Sequence, residues 1–171
     1  YMVASLGMQF DFHGIGVGKR MSNETFEKLM HKKRTRYGTE VCYADNSRKV
    51  FEQYHNNTPC AYMLLSDQSP NDINKCYWID FLNRKTAFIY GCEYFAKKYN
   101  YPVFYYNVKK IKRGYYEFEI SEISTKPQET EYGFIVEKSA KILENTLKQT
   151  PQYWLWSHRR WKLKYENINK L

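Results

Sequence analysis

The sequence predicts an α/β fold: a mixed, largely parallel sheet flanked by helices, followed by a β-hairpin and a C-terminal helix. Three features predict it. Short apolar or β-branched runs alternate with segments of helical period through the first half of the chain, the pattern of strand–helix–strand units. Two alternating segments around residues 102–123 flank a basic, glycine-containing turn. A long amphipathic segment over residues 131–149 stops at Pro151.

Taken in order, residues 1–8 read as the end of a helix and Gln9 to Gly16 as a buried strand running into glycines. Ser22 or Asn23 is placed to cap a helix, with Glu24 in its first turn and Gly38 just past its end. Phe26, Leu29, Met30 and Tyr37 share one face of that helix. A strand is expected at Glu40–Tyr43 and a helix from Ser47 to about His55. Cys60 to Ser66 is almost continuously apolar, as in a strand covered on both faces, and it ends in the polar loop Asp67-Gln68-Ser69-Pro70. Open α/β sheets place ligands beyond such strand ends. Trp78 to Asn83 reads as aromatic and irregular, and Thr86 to Tyr99 as a helix that tolerates Gly91. Pro102–Val108 and Tyr115–Ile123 form the hairpin around Lys112-Arg113-Gly114. In the last helix Val136, Ala140, Leu143 and Leu147 make one stripe.

A length of 171 residues fits one domain with a real core, and neither a repeat nor a linker breaks it. Apolar residues make up 43% of the chain and aromatic ones 18%, including 17 tyrosines. The formal net charge is +9, which favours anionic partners: nucleic acid, phospholipid head groups or a phosphorylated substrate. The cations are dispersed in Lys32-Lys33-Arg34-Thr35-Arg36, Lys109-Lys110-Ile111-Lys112-Arg113 and the C-terminal cluster, rather than gathered on one recognition helix. Cys42, Cys60, Cys76 and Cys92 contain no Cys-x-x-Cys pair, so the expectation is free thiols and no metal. The sequence shows no run of 18 apolar residues, the length needed to span a bilayer.

Several motif readings fail. Gly14-Ile15-Gly16-Val17-Gly18-Lys19 lacks the leading glycine of a phosphate loop, where His13 stands, and its closing Ser or Thr, where Arg20 stands. No Gly-x-Ser-x-Gly occurs, and His13, His31, His55 and His158 each stand apart from a nucleophile motif. Arg34 and Arg36 are spaced to hold a phosphate and equally suit a solvated helix face. Asp67 with Gln68 suits a turn and helix cap, or a carboxylate at a strand end able to orient a cation or hydroxyl.

The densest pattern is Pro151-Gln152-Tyr153-Trp154-Leu155-Trp156-Ser157-His158-Arg159-Arg160-Trp161-Lys162. Tryptophan beside arginine suits a boundary between apolar tails and anionic head groups. This stretch resembles the terminal motif of the bacterial late acyltransferases of lipid A biosynthesis. Lys19 to Asn23 with Phe26 and Arg34 to Gly38, then Ser66 to Pro70, then Phe81 to Phe88 with Gly91 and Ala96, and Tyr101-Pro102-Val103 are similar to further blocks of that family, in family order. Gly18 and Met21 depart from it.

The resemblance implies a glycerolipid acyltransferase-like fold and transfer of a fatty acyl chain from acyl carrier protein or acyl-CoA to a hydroxyl of a lipid A precursor or a related membrane lipid. It implies no cofactor and no metal. An anionic lipid acceptor and a membrane surface are the implied partners, with nucleic acid not among them, at the cytoplasmic face of the bacterial inner membrane. It suggests Lys19 and Arg34 for the acceptor's phosphates, with Arg159 and Arg160 in support. Asp67 and Gln68 would shape the acceptor side of a cleft, and Trp78 and Phe81 would line the acyl tunnel or equally serve as plain core. The family's base is a histidine held by a carboxylate in His-x-x-x-x-Glu/Asp. Five residues after His13, His31, His55 and His158 stand Gly18, Arg36, Cys60 and Leu163. The expectation is therefore the C-terminal portion of an acyltransferase domain, with catalytic motif and membrane helix upstream of Tyr1, and no turnover by this chain alone. Two rivals stay open. A non-catalytic lipid-binding or scaffold protein is one; a basic nucleic-acid-binding module, with tyrosines exposed on a sheet, is the other.

Overall fold

The computed structural model describes residues 11–166. They form two compact units, divided after Leu65.

The first unit is a parallel three-stranded sheet with two helices. Strands β1 (His13–Gly18), β2 (Glu40–Tyr43) and β3 (Cys60–Leu64) lie in the order β2-β1-β3, with Ile15 opposite both Glu40 and Tyr62. Helix α1 (Glu24–Arg34) joins β1 to β2, and α2 (Ser47–Tyr54) joins β2 to β3. Since β3 returns to the other side of β1, right-handed crossovers put the two helices on opposite faces. Helix α1 starts where the sequence places it: Asn23 accepts a hydrogen bond from the Phe26 N–H at 3.0 Å, and Gly38 (φ 83°) follows its end. Ile15, Cys42 and Val50 form the unit's core, and Phe51 stacks on Tyr62 at 3.9 Å between ring centroids.

The second unit pairs two antiparallel hairpins with two helices. The first hairpin joins β4 (Cys76–Phe81) to β5 (Arg84–Ile89) and is followed by α3 (Gly91–Tyr99). The second joins β6 (Val103–Lys112) to β7 (Tyr115–Ser124) and precedes α4 (Phe134–Gln149). Phe81, Phe88, Val136, Ala140 and Leu147 form one core cluster; Ala96, Val103, Ile123 and Ile135 form another. Each large side chain so buried contributes about 1.5–3 kcal/mol. Helix α4 displays the stripe expected of it: Val136, Ala140 and Leu147 are buried and Leu143 packs alongside.

The α/β class stands, and several element boundaries are corrected. The first strand begins at His13 and runs on through Gly18; the expected helix end at 1–8, with Gln9 and Phe10, lies outside the described residues. Residues 60–66 are not covered on both faces: Ala61 and Leu65 are exposed and the rest of β3 is only partly buried. Trp78–Phe81 is regular strand rather than irregular, and Thr86–Ile89 is strand rather than helix. The cause is local. Leu82 and Asn83 both adopt left-handed backbone (φ 51° and 59°), the geometry of a two-residue hairpin turn, so the chain doubles back before Gly91 lets the helix begin.

Helix α4 begins at a site no sequence pattern marked. Glu93 of α3 has no exposed surface, and its carboxylate accepts the Gly133, Ile135 and Val136 N–H groups at 2.6, 3.0 and 3.2 Å. A negative charge there meets the unpaired donors and the positive end of the α4 dipole. Gly133 has φ +90°, and a Cβ on it would lie 2.2 Å from the Tyr77 ring, so only glycine fits.

Candidate functional site

In the first unit the loop after β1 carries Lys19 and Arg20, both exposed. The strand order makes the carboxyl ends of β1 and β3 a topological switch point, where ligands of open α/β sheets bind. Lys19 thus stands where that rule places a ligand group. The Arg20 guanidinium lies 3.8 Å from the Tyr43 ring centroid, at the end of β2. The Tyr43 hydroxyl donates to Glu27 of α1 at 2.6 Å, and the other Glu27 oxygen accepts the Met21 N–H at 2.8 Å. These bonds hold the Glu27 carboxyl below its ordinary range, with help from the charge of Arg34. Arg34 closes α1 with a buried Nη1 that has no hydrogen-bond partner.

The opposite, amino-terminal end of the same sheet holds a His–carboxylate pair that sequence spacing did not reveal. His13 Nε2 lies 2.9 Å from Glu40 Oε2, which also accepts the Tyr54 hydroxyl at 2.7 Å. Burial works to raise the Glu40 carboxyl; the bonds from His13 and Tyr54 overcome it and hold the group below its ordinary value. The pair forms because parallel pairing brings the starts of β1 and β2 side by side, across 27 residues of sequence.

In the second unit the C-terminal motif fastens onto the Asp67 loop and the β4–β5 hairpin. His158 Nε2 accepts the Ser69 N–H at 3.1 Å, and Lys162 Nζ lies 3.2 Å from Asn71 Oδ1. The Trp161 indole donates to Thr86 Oγ1 at 2.9 Å. Arg160 goes deepest, at 2% exposure: Nη1 donates to the Ala87 carbonyl at 2.7 Å, and the guanidinium carbon sits 4.3 Å from the Phe88 ring centroid. Its Nε and Nη2 are buried without a hydrogen-bond partner, as is Ser69 Oγ. Those two nitrogens form the side-on fork of a guanidinium, matched to a carboxylate or phosphate.

Burial pulls the Arg160 guanidinium down to about 10, against the opposing pull of the Asp67 charge, so it stays cationic at neutral pH. Tyr105 is pushed up to about 12, first by burial and then by Asp67. Tyr105 therefore remains a protonated donor within reach of Asp67's field.

Sequence-marked residues thus divide. Asp67 and Arg160 share one electrostatic neighbourhood in the second unit. Gln68 and Arg159 are exposed in the segments that carry them. Lys19 and Arg34 belong to the first unit. Trp78 is part-buried, edge-on to Tyr165, and lines an open depression of about 380 Å³ with Asp80, Lys85 and Glu137. Phe81 lies wholly in the core, edge-on to Phe88. Among the described residues no helix is long and apolar enough to cross a membrane.

Together these features define an α/β protein in which a buried guanidinium has two nitrogens without a hydrogen-bond partner. The sequence matches the family described as bacterial lipid A biosynthesis acyltransferase over residues 3–163, and the chain belongs to that family. It is accordingly an acyltransferase of lipid A biosynthesis, with an acyl donor and a lipid acceptor as its substrates. No curated protein matches the chain.

Proposed function

We propose that this protein serves the transfer of a fatty acyl chain from acyl carrier protein, or acyl-CoA, to a hydroxyl of a lipid A precursor at the cytoplasmic face of the inner membrane. The observation that carries the reading is Arg160, buried among apolar groups, its Nη1 fixed by Ala87 and its Nε–Nη2 fork unmatched. A buried cation with two open donors is costly unless an anion meets it, and a phosphorylated acceptor supplies that anion. Arg159 gives further positive charge at the rim.

Asp67 and Gln68 supply acceptor groups for the hydroxyl and amide donors of a glucosamine-type acceptor, while Tyr105 supplies a donor. Lys19 and Arg34 give the first unit cationic groups of its own for a phosphate. Trp78 offers an apolar surface to an acyl chain, and Phe81 supports it from the core. In the reaction the acceptor oxygen forms a bond to the thioester carbonyl carbon, the carbon–sulfur bond breaks, and the hydroxyl proton passes by way of a base to the departing thiol. A His–carboxylate pair suits that task. We assign His13–Glu40 to holding the sheet instead, because it lies at the amino ends of the strands, away from the ligand-binding side.

Steady-state kinetics of the enzyme test the reading. Arg160→Lys keeps the charge and loses the fork, so the acceptor KM should rise about tenfold or more while the donor KM holds. Arg34→Ala should also raise the acceptor KM. Unchanged acceptor KM values in both would contradict the assignment.

A further inference from the structure

The hairpin β6–β7 is anchored at one end only. Val103 and Ile123 are buried at its base, whereas every residue from Val108 to Glu117 is exposed. No third strand joins it among the described residues. Its register puts Tyr106 opposite Ile120, Val108 opposite Phe118 and Lys110 opposite Tyr116. Alternation along each strand therefore gathers Phe104, Tyr106, Val108, Phe118, Ile120 and Tyr116 onto one face, with Lys110 towards the tip and Glu122 towards the base. A two-stranded ribbon with such a face is marginal in water alone.

From Val108 to Tyr116 the tip carries charge of one sign, with Glu117 opposite Lys109 at its edge. Lys109 is matched by Glu119 at 2.8 Å, but Lys110, Lys112 and Arg113 have no acidic residue between Val108 and Tyr116 to offset them. Among these cations stand Ile111 and Tyr115, 63% and 61% exposed. Lys112 Nζ lies 4.2 Å from the Tyr115 ring centroid, so cation and aromatic ring share one location. Tyrosine and branched apolar side chains favour the head-group layer, lysine and arginine favour anionic phosphates, and the two act together at a lipid surface. An acidic protein would satisfy the charges but leave Ile111 and the ribbon's apolar face without a matching phase.

We propose that the β6–β7 ribbon is a docking element for an anionic lipid bilayer, inserting Ile111 and Tyr115 at the head-group level while Lys110, Lys112 and Arg113 contact lipid phosphates. It deepens the functional reading by naming the element that meets the membrane, yet it uses none of the anion-site residues, so each stands or falls separately.

Co-sedimentation of the whole chain with vesicles tests it, using phosphatidylethanolamine containing about a quarter phosphatidylglycerol, with pure phosphatidylcholine as control. Wild-type protein should pellet with the anionic vesicles alone. Lys110→Glu, Lys112→Glu and Arg113→Glu combined should weaken binding roughly a hundredfold, at about one decade or less per charge. Ile111→Ser with Tyr115→Ser should weaken it about tenfold. All these positions are exposed, and circular dichroism checks that the fold persists. A tryptophan placed by Ile111→Trp should shift to the blue and be quenched by brominated lipid. Absence of wild-type binding, full binding by the tip variants, or tip-dependent capture of an acidic carrier protein without lipid binding would overturn the proposal. Phosphate binding at Arg160 would be untouched by that failure.

Discussion

Two polar clusters, one in each unit, differ in a way that separates architecture from ligand binding. At His13–Glu40–Tyr54 a half-exposed carboxylate accepts two side-chain bonds and is complete in itself. At Arg160 the guanidinium is buried more deeply, yet only one of its three nitrogens has a partner. Glu93 sharpens the contrast. It is a fully buried charge like Arg160, but three N–H groups surround its carboxylate. Burial alone therefore does not mark the site. Buried polar atoms almost always find partners within the fold, so the unmatched Nε and Nη2 of Arg160 are the observation on which the proposed anion contact rests.

The largest effect expected from this contrast falls on Glu93. Glu93→Ala strips three buried N–H groups of their acceptor and removes the charge at the start of α4, so urea unfolding should show a loss of about 3 kcal/mol or more. Gly133→Ala should be comparably severe, since its Cβ would collide with Tyr77. A loss in either variant below about 1 kcal/mol would show that the closed cluster contributes little to folding.

Glu40→Gln probes the closed cluster of the first unit. The Glu40 carboxyl is held below its ordinary value in the folded chain, so its contribution is present above the usual carboxylate range and is lost as pH falls through the lowered value. Wild-type protein should exceed Glu40→Gln in thermal stability at neutral pH, with the gap closing on acidification. A gap that widens in acid would contradict the assigned direction.

Asp67→Asn gives the smallest change and bears on the open cluster. Removing the negative charge beside Arg160 should tighten binding of inorganic pyrophosphate a few-fold in calorimetry, by relieving repulsion in a screened environment. Weaker binding would mean that Asp67 holds the Arg160 guanidinium in place for the anion rather than repelling it.

Much of this architecture is legible in local pattern. Asn23 with Glu24 marks the start of α1, Pro151 the stop after α4, and alternation marks both strands of the β6–β7 ribbon. The β4–β5 hairpin is not, because Leu82 and Asn83 adopt a glycine-like turn without glycine, and Thr86-Ala87-Phe88 suits helix and strand alike until pairing decides. The site divides the same way. Arg160 and Asp67 stand out by residue type and by the motif around them. The burial of Arg160 depends on Ala87 and Phe88, which are distant from it in sequence, whereas Asp67 stays exposed. The His13–Glu40 pair and the Glu93 cap are not legible in the sequence for the same reason: 27 and about 40 residues separate the partners.

The direct test of the open fork is calorimetric titration of the protein with pyrophosphate at neutral pH, comparing wild type with Arg160→Lys. Binding by the wild type that drops at least about tenfold in the lysine variant, with the fold intact by circular dichroism, is the predicted result. Equal affinity in the two proteins, or none in the wild type, would mean that the Arg160 guanidinium serves only to fasten the C-terminal segment to Ala87.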